Sequence, residues 1–521
     1  MTVATASHAV PASYGDPVPE RVRVAIVGSG FSGLAVGIRL LQEGERDFVI
    51  LERAGDIGGT WRDNAYPGCA CDVPSHLYSF SFAPNPNWSN TFSPQGEIWQ
   101  YQRDVAATFG VNPYVRTNAA VQEARWDEDA QRWIVTTERG TVSAQVLVSG
   151  TGPLCEPLIP ELPGLESFEG EQFHSARWNH DYDLRGKRVA VVGTGASAIQ
   201  FVPRIQPLVG QMTVFQRTPA WVLPRPSRPV TPVERFLFRR FPVLQRAMRG
   251  AIYAGREMML FPYKYARPTK RILRAVAESH MRRQVPDATL RAKIKPSFDV
   301  GCKRILISND YLPALGKPNV EVVTHGVSEI RPNSIVADDG SEREVDAIIF
   351  GTGFHVTDQP VAELVFGRDG RKLADAWAEQ GMATFMGTTV SGFPNLFLMV
   401  GPNTGQGHTS IIYTIESQVP YVLDALRTLD RTGAGAVDLR KEVQDAFADE
   451  MDREMEGTVW TAGGCKSWYL DATGRNTTLW PTFTFLMRRR LARFDPAMYR
   501  IDARRTPDGA ATGAPVAGAA D

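Results

Sequence analysis

The sequence is poor in cysteine: five residues, Cys69, Cys71, Cys155, Cys302 and Cys465, are scattered over 521 positions. An odd number at such spacings does not resemble a disulfide framework and fits a reducing cytoplasm. Long apolar runs are missing too, because charged residues and glycines break every hydrophobic stretch before it could span a bilayer. The first twenty residues lack the basic start and apolar core of a signal peptide. Net charge is absent, with 57 Lys and Arg against 57 Asp and Glu. That balance argues against recruitment of nucleic acid or an anionic membrane over the whole surface, and leaves small molecules as the expected partners. Apolar content is low at both ends, where Ala, Gly and Pro dominate residues 1–20 and 503–521. These ends cannot offset their ordering entropy and are expected to be disordered.

The length predicts two or three domains, and two glycine-rich units suggest what they bind. RVRVAIVGSGFSGLAVGIRLLQEGERDFVILE (21–52) reads as strand, turn, helix and strand. Gly28 permits the tight turn, Gly30 lets a pyrophosphate approach the backbone, and Gly33 lets the helix pack on the sheet. Glu52 closes the second strand where a carboxylate accepts hydrogen bonds from an adenosine ribose. The ligand is NAD or FAD. A second flexible turn, GDIGGTW (55–61), with Gly59, Thr60 and Trp61, suits the longer FAD better.

KRVAVVGTGASAIQFVPRIQPLVGQMTVFQRTPAW (187–221) repeats the pattern with Gly193, Gly195, Ser197 and Ala198. Its second strand ends without an acid and offers Arg217 and Thr218 instead. A guanidinium there pairs with a ribose 2′-phosphate and selects NADPH over NADH. An acid-ended unit followed by an arginine-ended one suggests hydride passing from NADPH to a bound flavin. Cys69 and Cys71 are spaced too tightly for an unstrained redox disulfide. No second ligand pair accompanies them, so no metal is expected.

FEGEQFHSARWN (168–179) lies between the two units and places Phe168, Gly170, His174 and Trp178 in the order F-x-G-x-x-x-H-x-x-x-W. This resembles the fingerprint of the type I Baeyer-Villiger monooxygenases, class B flavoprotein monooxygenases. YPGCACDVPSHLYSF (66–80), GCKR (301–304), DAIIFGTGF (346–354) and SWY (467–469) extend the resemblance over roughly residues 22–500. The family continues with Pro or Asp after the tryptophan, whereas Asn179 stands here, followed by His180 and Asp181.

The resemblance implies an α/β fold of two Rossmann-like dinucleotide-binding domains, both discontinuous: FAD-binding at 21–152 and 389–502, NADPH-binding at 153–227 and 296–388. A helical insert at 228–295 interrupts the second. It further implies an NADPH- and O2-dependent flavoprotein that converts a ketone to an ester or lactone through a C4a-peroxyflavin. Arg304 would be the catalytic cation, Asp72 its orienting carboxylate and a cofactor contact, and Lys303 a second ligand of the 2′-phosphate. His174 and Trp178 would be conformational residues, and Trp468 would face the ketone. GPNTGQGHTSIIYTIESQV (401–419), with Asn403 among the cofactor contacts, would start a helix near Ser410 aimed at the flavin's pyrimidine edge.

Oxidation of sulfur or amine nitrogen by a flavin-containing monooxygenase is the alternative, and a non-catalytic FAD/NADPH redox sensor is the alternative of another class. The insert's arginine-rich amphipathic helices could rest on an anionic membrane. The balanced total charge favours a solvated arginine face.

Overall fold

The computed structural model describes residues 11–265, 267–471 and 473–505. Strand Arg21–Val27 is apolar on both faces, with Val24, Ala25 and Ile26 each 0% exposed, as a strand covered on both sides must be. It pairs in parallel with Phe48–Leu51 on one side and Gly140–Ser149 on the other. Val115–Arg116 extends one edge, and an antiparallel meander of Arg132–Thr137 and Val121–Asp127 extends the other. Helix Phe31–Gln42 covers this sheet and packs against the long helix Ile411–Thr432.

The second sheet has five parallel strands in the order Val320–Val323, Gln211–Phe215, Arg188–Val192, Ala347–Phe350, Glu171–His174. Helix Ala198–Ile205 makes the crossover from Arg188–Val192 to Gln211–Phe215. Each glycine turn therefore sits at the carboxyl end of a central parallel strand, where open α/β sheets bind ligands. Four helices, Pro232–Arg240, Pro242–Glu257, Arg267–Gln284 and Ala288–Ile294, interrupt the second unit. Thr231 and Glu234 start the first of them with a reciprocal capping box.

Three boundaries differ from the sequence expectation. The chain rejoins the first sheet at Val365–Phe366, which pairs with Val121–Asp127, ahead of residue 388. Leu396–Leu398 then adds in parallel to Gly140–Ser149. Residues 11–20, expected to be disordered, are packed: Tyr14 is 3% exposed and donates to Asn112 Oδ1 at 3.1 Å. One buried aromatic ring supplies what the polar composition lacked. At the other end, Tyr499–Ala503 pairs with Ala434–Leu439, and Arg505 N donates to Gln131 Oε1 at 2.8 Å. The remainder of both expected tails, 1–10 and 506–521, lies outside the described residues.

Candidate active site

At the first turn Gly28 has φ +93°, and a Cβ there would meet Gly150 O at 2.9 Å. Gly30 is open, with only Gly59 Cα within reach of a Cβ, at 3.7 Å. Glu52 is 3% exposed and fully engaged: Oε2 accepts from Ser29 N at 3.0 Å and Ser29 Oγ at 2.6 Å, and Oε1 accepts from Arg62 at 2.9 Å. Gly59 precedes the short helix Thr60–Asp63, whose Trp61 indole donates to the Tyr78 hydroxyl at 3.0 Å.

The second turn is as tight as the first at its opening glycine and ends in more exposed residues. Gly193 has φ +108° and faces Gly351 O, and Ser197 precedes the helix without capping it through its side chain. Thr218 O accepts from Thr194 Oγ1 at 3.2 Å, and Arg217 is exposed. Burial first, and then the charge of Arg217, lower the Lys303 pKa, so the fold gathers these two cations although 86 positions separate them.

Arg304 and Asp72 meet between the units. Arg304 Nε donates to Asp72 Oδ2 at 2.9 Å, Nη2 lies 2.7 Å from the same oxygen, and Nη1 donates to Gln406 O at 3.4 Å. Their side chains retain 29% and 27% exposure, so the pair is reachable from the cleft. Burial pushes the Asp72 carboxyl up, but the Arg304 charge and hydrogen bond outweigh it and hold the pKa below the usual range, with Arg256 adding to the effect. Asp72 in turn raises the Arg304 pKa against the opposing effect of burial. The surrounding segment is fixed across the domain boundary: Gln200, on the crossover helix of the second unit, bonds Tyr66 OH, Ala70 N and Ala70 O.

His174 ends the edge strand of the second sheet, 2% exposed, with Nδ1 accepting from Ala176 N at 3.1 Å. Burial lowers its pKa to about 4, so the ring is neutral at physiological pH. Trp178 does not pair with it. The indole packs on Phe173 and Phe201, with centroids 5.1 and 5.3 Å away, while His174 packs on Phe354. Asn179 Nδ2 donates to Glu171 Oε1 at 2.7 Å, which closes the segment back onto its own strand.

One sequence reading changes here. Cys302 and Cys465 form a disulfide, with Cα atoms 6.1 Å apart across 163 positions. Spacing could not reveal it, because folding alone brings the segments together. Gly463 admits the approach, since a Cβ there would lie 2.7 Å from Cys302 Cβ. The bond ties the stretch carrying Lys303 and Arg304 to the one carrying Trp468. Cys69, Cys71 and Cys155 stay free, and burial pushes the Cys69 thiol up to about 12. Asn403 Nδ2 donates to Asn476 O at 2.9 Å and Leu479 O at 3.3 Å, and the residue holds a left-handed turn at φ +56°.

Three residues escaped the sequence reading. Tyr469, 1% exposed, lies beside Arg304, while its neighbour Trp468 is 45% exposed. Arg256 donates to Asp72 O at 3.5 Å from the insert. Gln406 accepts from Arg304 and leaves Oε1 without a protein partner, as Thr409, Thr477 and Thr478 leave their hydroxyls. Thr477 and Thr478 pair through their backbone with Asn403 and Gly405, on the loop leading into helix Ile411–Thr432, which Ser410 caps. An "SWY" string marks Tyr469 as clearly as Trp468. Nothing in the sequence marks Arg256.

Two dinucleotide turns with an ion pair between them define a nucleotide-dependent oxidoreductase, and the comparisons give its family. The model for flavin-binding monooxygenase-like proteins matches residues 21–365. A Baeyer-Villiger monooxygenase of Streptomyces coelicolor is 52% identical over 487 residues, covering 93% of this chain and 94% of the relative. One from Pseudomonas aeruginosa is 47% identical over 490 residues, covering 93% of each. Among solved structures, OTEMO in complex with FAD and NADP superposes with TM-score 0.83 at 26% identity, over 92% of this chain and 99% of that one. Cyclohexanone monooxygenase from Rhodococcus bound to NADP+ gives 0.82 at 25% identity, over 93% and 100%. The chain belongs to the Baeyer-Villiger monooxygenases of the flavin-binding monooxygenase-like family.

Proposed function

We propose that the protein uses NADPH and O2 to convert a ketone to an ester or lactone on a bound FAD. The observation that carries the reading is the Arg304–Asp72 pair, a fixed and accessible cation contributed by one nucleotide unit and held by a carboxylate of the other. The residues fit both cofactors. Gly28, Gly30, Gly33 and Glu52, with Gly59, Thr60 and Trp61, would hold FAD. The unpartnered Gln406, Thr409, Thr477 and Thr478 atoms are buried polar groups that a bound ligand would satisfy. Gly193, Gly195, Ser197 and Thr218 would hold NADPH, with Arg217 and Lys303 on the 2′-phosphate.

When bound and reduced, FAD activates dioxygen and so supplies the oxygen atom that enters beside the carbonyl carbon. Attack on a ketone develops negative charge on the carbonyl oxygen, and a cation fixed beforehand stabilises that charge more than it stabilises the ground state. Arg304 fills this role because it does not deprotonate and Asp72 fixes its plane. Asp72, ionised well below neutrality, keeps the pair charged throughout the working pH range. His174, neutral and buried, positions the linker between the units and moves no proton. Trp468 presents an exposed indole against Tyr469 at 4.4 Å, a wall against which an apolar ketone could pack.

The test is to supply the FAD-loaded enzyme with NADPH and air and offer linear, cyclic and aryl ketones beside sulfides. Esters or lactones formed with matching NADPH consumption support the reading. Sulfoxides with no ester from any ketone would overturn it in favour of heteroatom oxidation.

A further inference from the structure

Helix Pro242–Glu257 turns polar side chains inward and leaves apolar ones outside. Beside Ile252 and Tyr253, which pack on the core, Gln245, 4% exposed, bonds His76 and Asn85 O, and Arg249 donates to the carbonyls of His76, Leu77 and Ser79. Glu257, 6% exposed, accepts from Thr484. Its outward face is apolar, with Leu244 43%, Met248 40% and Met258 61% exposed and Ala247, Ala251 and Ala254 between them. The preceding helix Pro232–Arg240 continues the pattern. Phe238 turns inward onto His76, while Val233 and Phe236 point out at 66% and 63% exposure. Phe241 and Val243, at the junction of the two helices, are 44% and 66% exposed. Isolated exposed apolar residues need no explanation, but two helices whose apolar sides both face outward mark an interaction surface.

The charge around this surface selects the partner. Residues 228–295 hold 17 Lys and Arg against 4 Asp and Glu, in a chain whose totals are 57 and 57. The insert thus carries an excess of 13 positive charges, which the rest of the chain cancels. The neutral total conceals a strongly dipolar molecule. Of the 4 acids, Glu234 is held by Arg228 and Thr231, Glu278 by Arg274 and Lys295, and Glu257 is buried behind the apolar face. Arg239, Arg240 and Arg246 are exposed beside Phe236, Phe241 and Leu244. A second copy docked by a two-fold through this face would bring two such positive fields together. A lipid surface rich in anionic headgroups complements both the apolar side chains and the arginines that flank them.

We infer that the α-helical insert docks the enzyme on an anionic lipid surface, with Phe236, Phe241, Val243, Leu244 and Met248 entering the interface and Arg239, Arg240 and Arg246 contacting headgroups. Arg256, in the last turn of the same helix, donates to Asp72 O, so the helix runs from the docking face to the catalytic pair.

The test sediments full-length, FAD-loaded enzyme with phosphatidylcholine vesicles, with and without phosphatidylserine, at low and high salt. Expected are binding to the phosphatidylserine vesicles at low salt, at least tenfold weaker binding to phosphatidylcholine alone, and release by salt. Phe236→Ser with Leu244→Ser, and separately Arg240→Glu with Arg246→Glu, should each weaken vesicle binding at least tenfold while leaving NADPH-dependent ketone oxidation in solution unchanged. Absence of sedimentation with anionic vesicles at low salt would overturn the inference. So would a concentration-dependent dimer that the Phe236→Ser, Leu244→Ser variant dissolves, which would give the face to a second copy.

Discussion

The two nucleotide turns share a backbone plan and differ in how closed they are. In the first, a Cβ on Gly33 would lie 1.9 Å from Gly28 O, so helix and strand touch backbone to backbone. In the second, Ala198 occupies the equivalent place and packs on Gly351 without conflict. The first ends in a buried glutamate with every oxygen engaged, and the second in an exposed arginine with a lysine beside it. A sealed and neutralised turn suits a resident cofactor that need not leave. An open cationic one suits a carrier that binds, gives up a hydride and exchanges. One sequence pattern thus frames two unlike sites, and the residues flanking the glycines make the difference.

Breaking the closed turn should have the largest effect. Gly33→Ala forces a methyl group into the Gly28 carbonyl and should lower stability by about 3 kcal/mol, with loss of bound flavin. Ala198→Gly, the reverse change at the equivalent place in the second turn, should lower stability by no more than about 1 kcal/mol. Thermal unfolding and the flavin content of the purified variants check both. Similar losses at the two positions would erase the distinction drawn here.

Arg217→Ala should raise the KM for NADPH about 10- to 100-fold, the range expected for a lost charge-assisted hydrogen bond, and leave flavin content unchanged. Its NADPH preference over NADH should shrink by the same factor. An unaltered preference would move the 2′-phosphate elsewhere.

The smallest effect concerns pH. His174 titrates near 4 when folded and near the ordinary histidine value of about 6.5 when unfolded. Between those values the unfolded chain binds the extra proton. His174 therefore contributes stability that is present above about pH 6.5 and is lost as pH falls toward 4, at up to about 1.4 kcal/mol per pH unit. His76, lowered to about 4 chiefly by burial, acts in the same window. His174→Asn, which keeps an acceptor for Ala176 N, should show a shallower fall in melting temperature between pH 7 and 5 than the parent. Parallel curves would remove His174 from the acid response.

What the sequence revealed follows from which constraints are local. The glycines at 28, 33 and 193 are dictated by contacts within a few residues or across one strand pair, so their meaning survives in a linear reading. Glu52 and Arg217 close their strands at fixed offsets and are legible for the same reason. The Arg304–Asp72 pair spans 232 positions and became visible only through family resemblance. The Cys302–Cys465 bond and the Arg256 contact have no local signature. The period of helix Pro242–Glu257 was readable, but which face turns inward was not. Burial of Arg249 and Gln245 is decided by the carbonyls of residues 76–85, which those side chains satisfy. Composition likewise hid the charge separation between the insert and the rest of the chain, because two opposite excesses cancel in the sum.

Arg304 is proposed to act on oxygen insertion and not on hydride delivery. Rapid-mixing kinetics of Arg304→Ala separate the two, following flavin reduction by NADPH without oxygen and ester formation with oxygen and ketone. Reduction is expected within about threefold of the parent and ester formation lowered by about 10²- to 10³-fold, the usual loss when one charge-stabilising donor is removed. Equal loss in both steps, or ester formation at the parental rate, would contradict it.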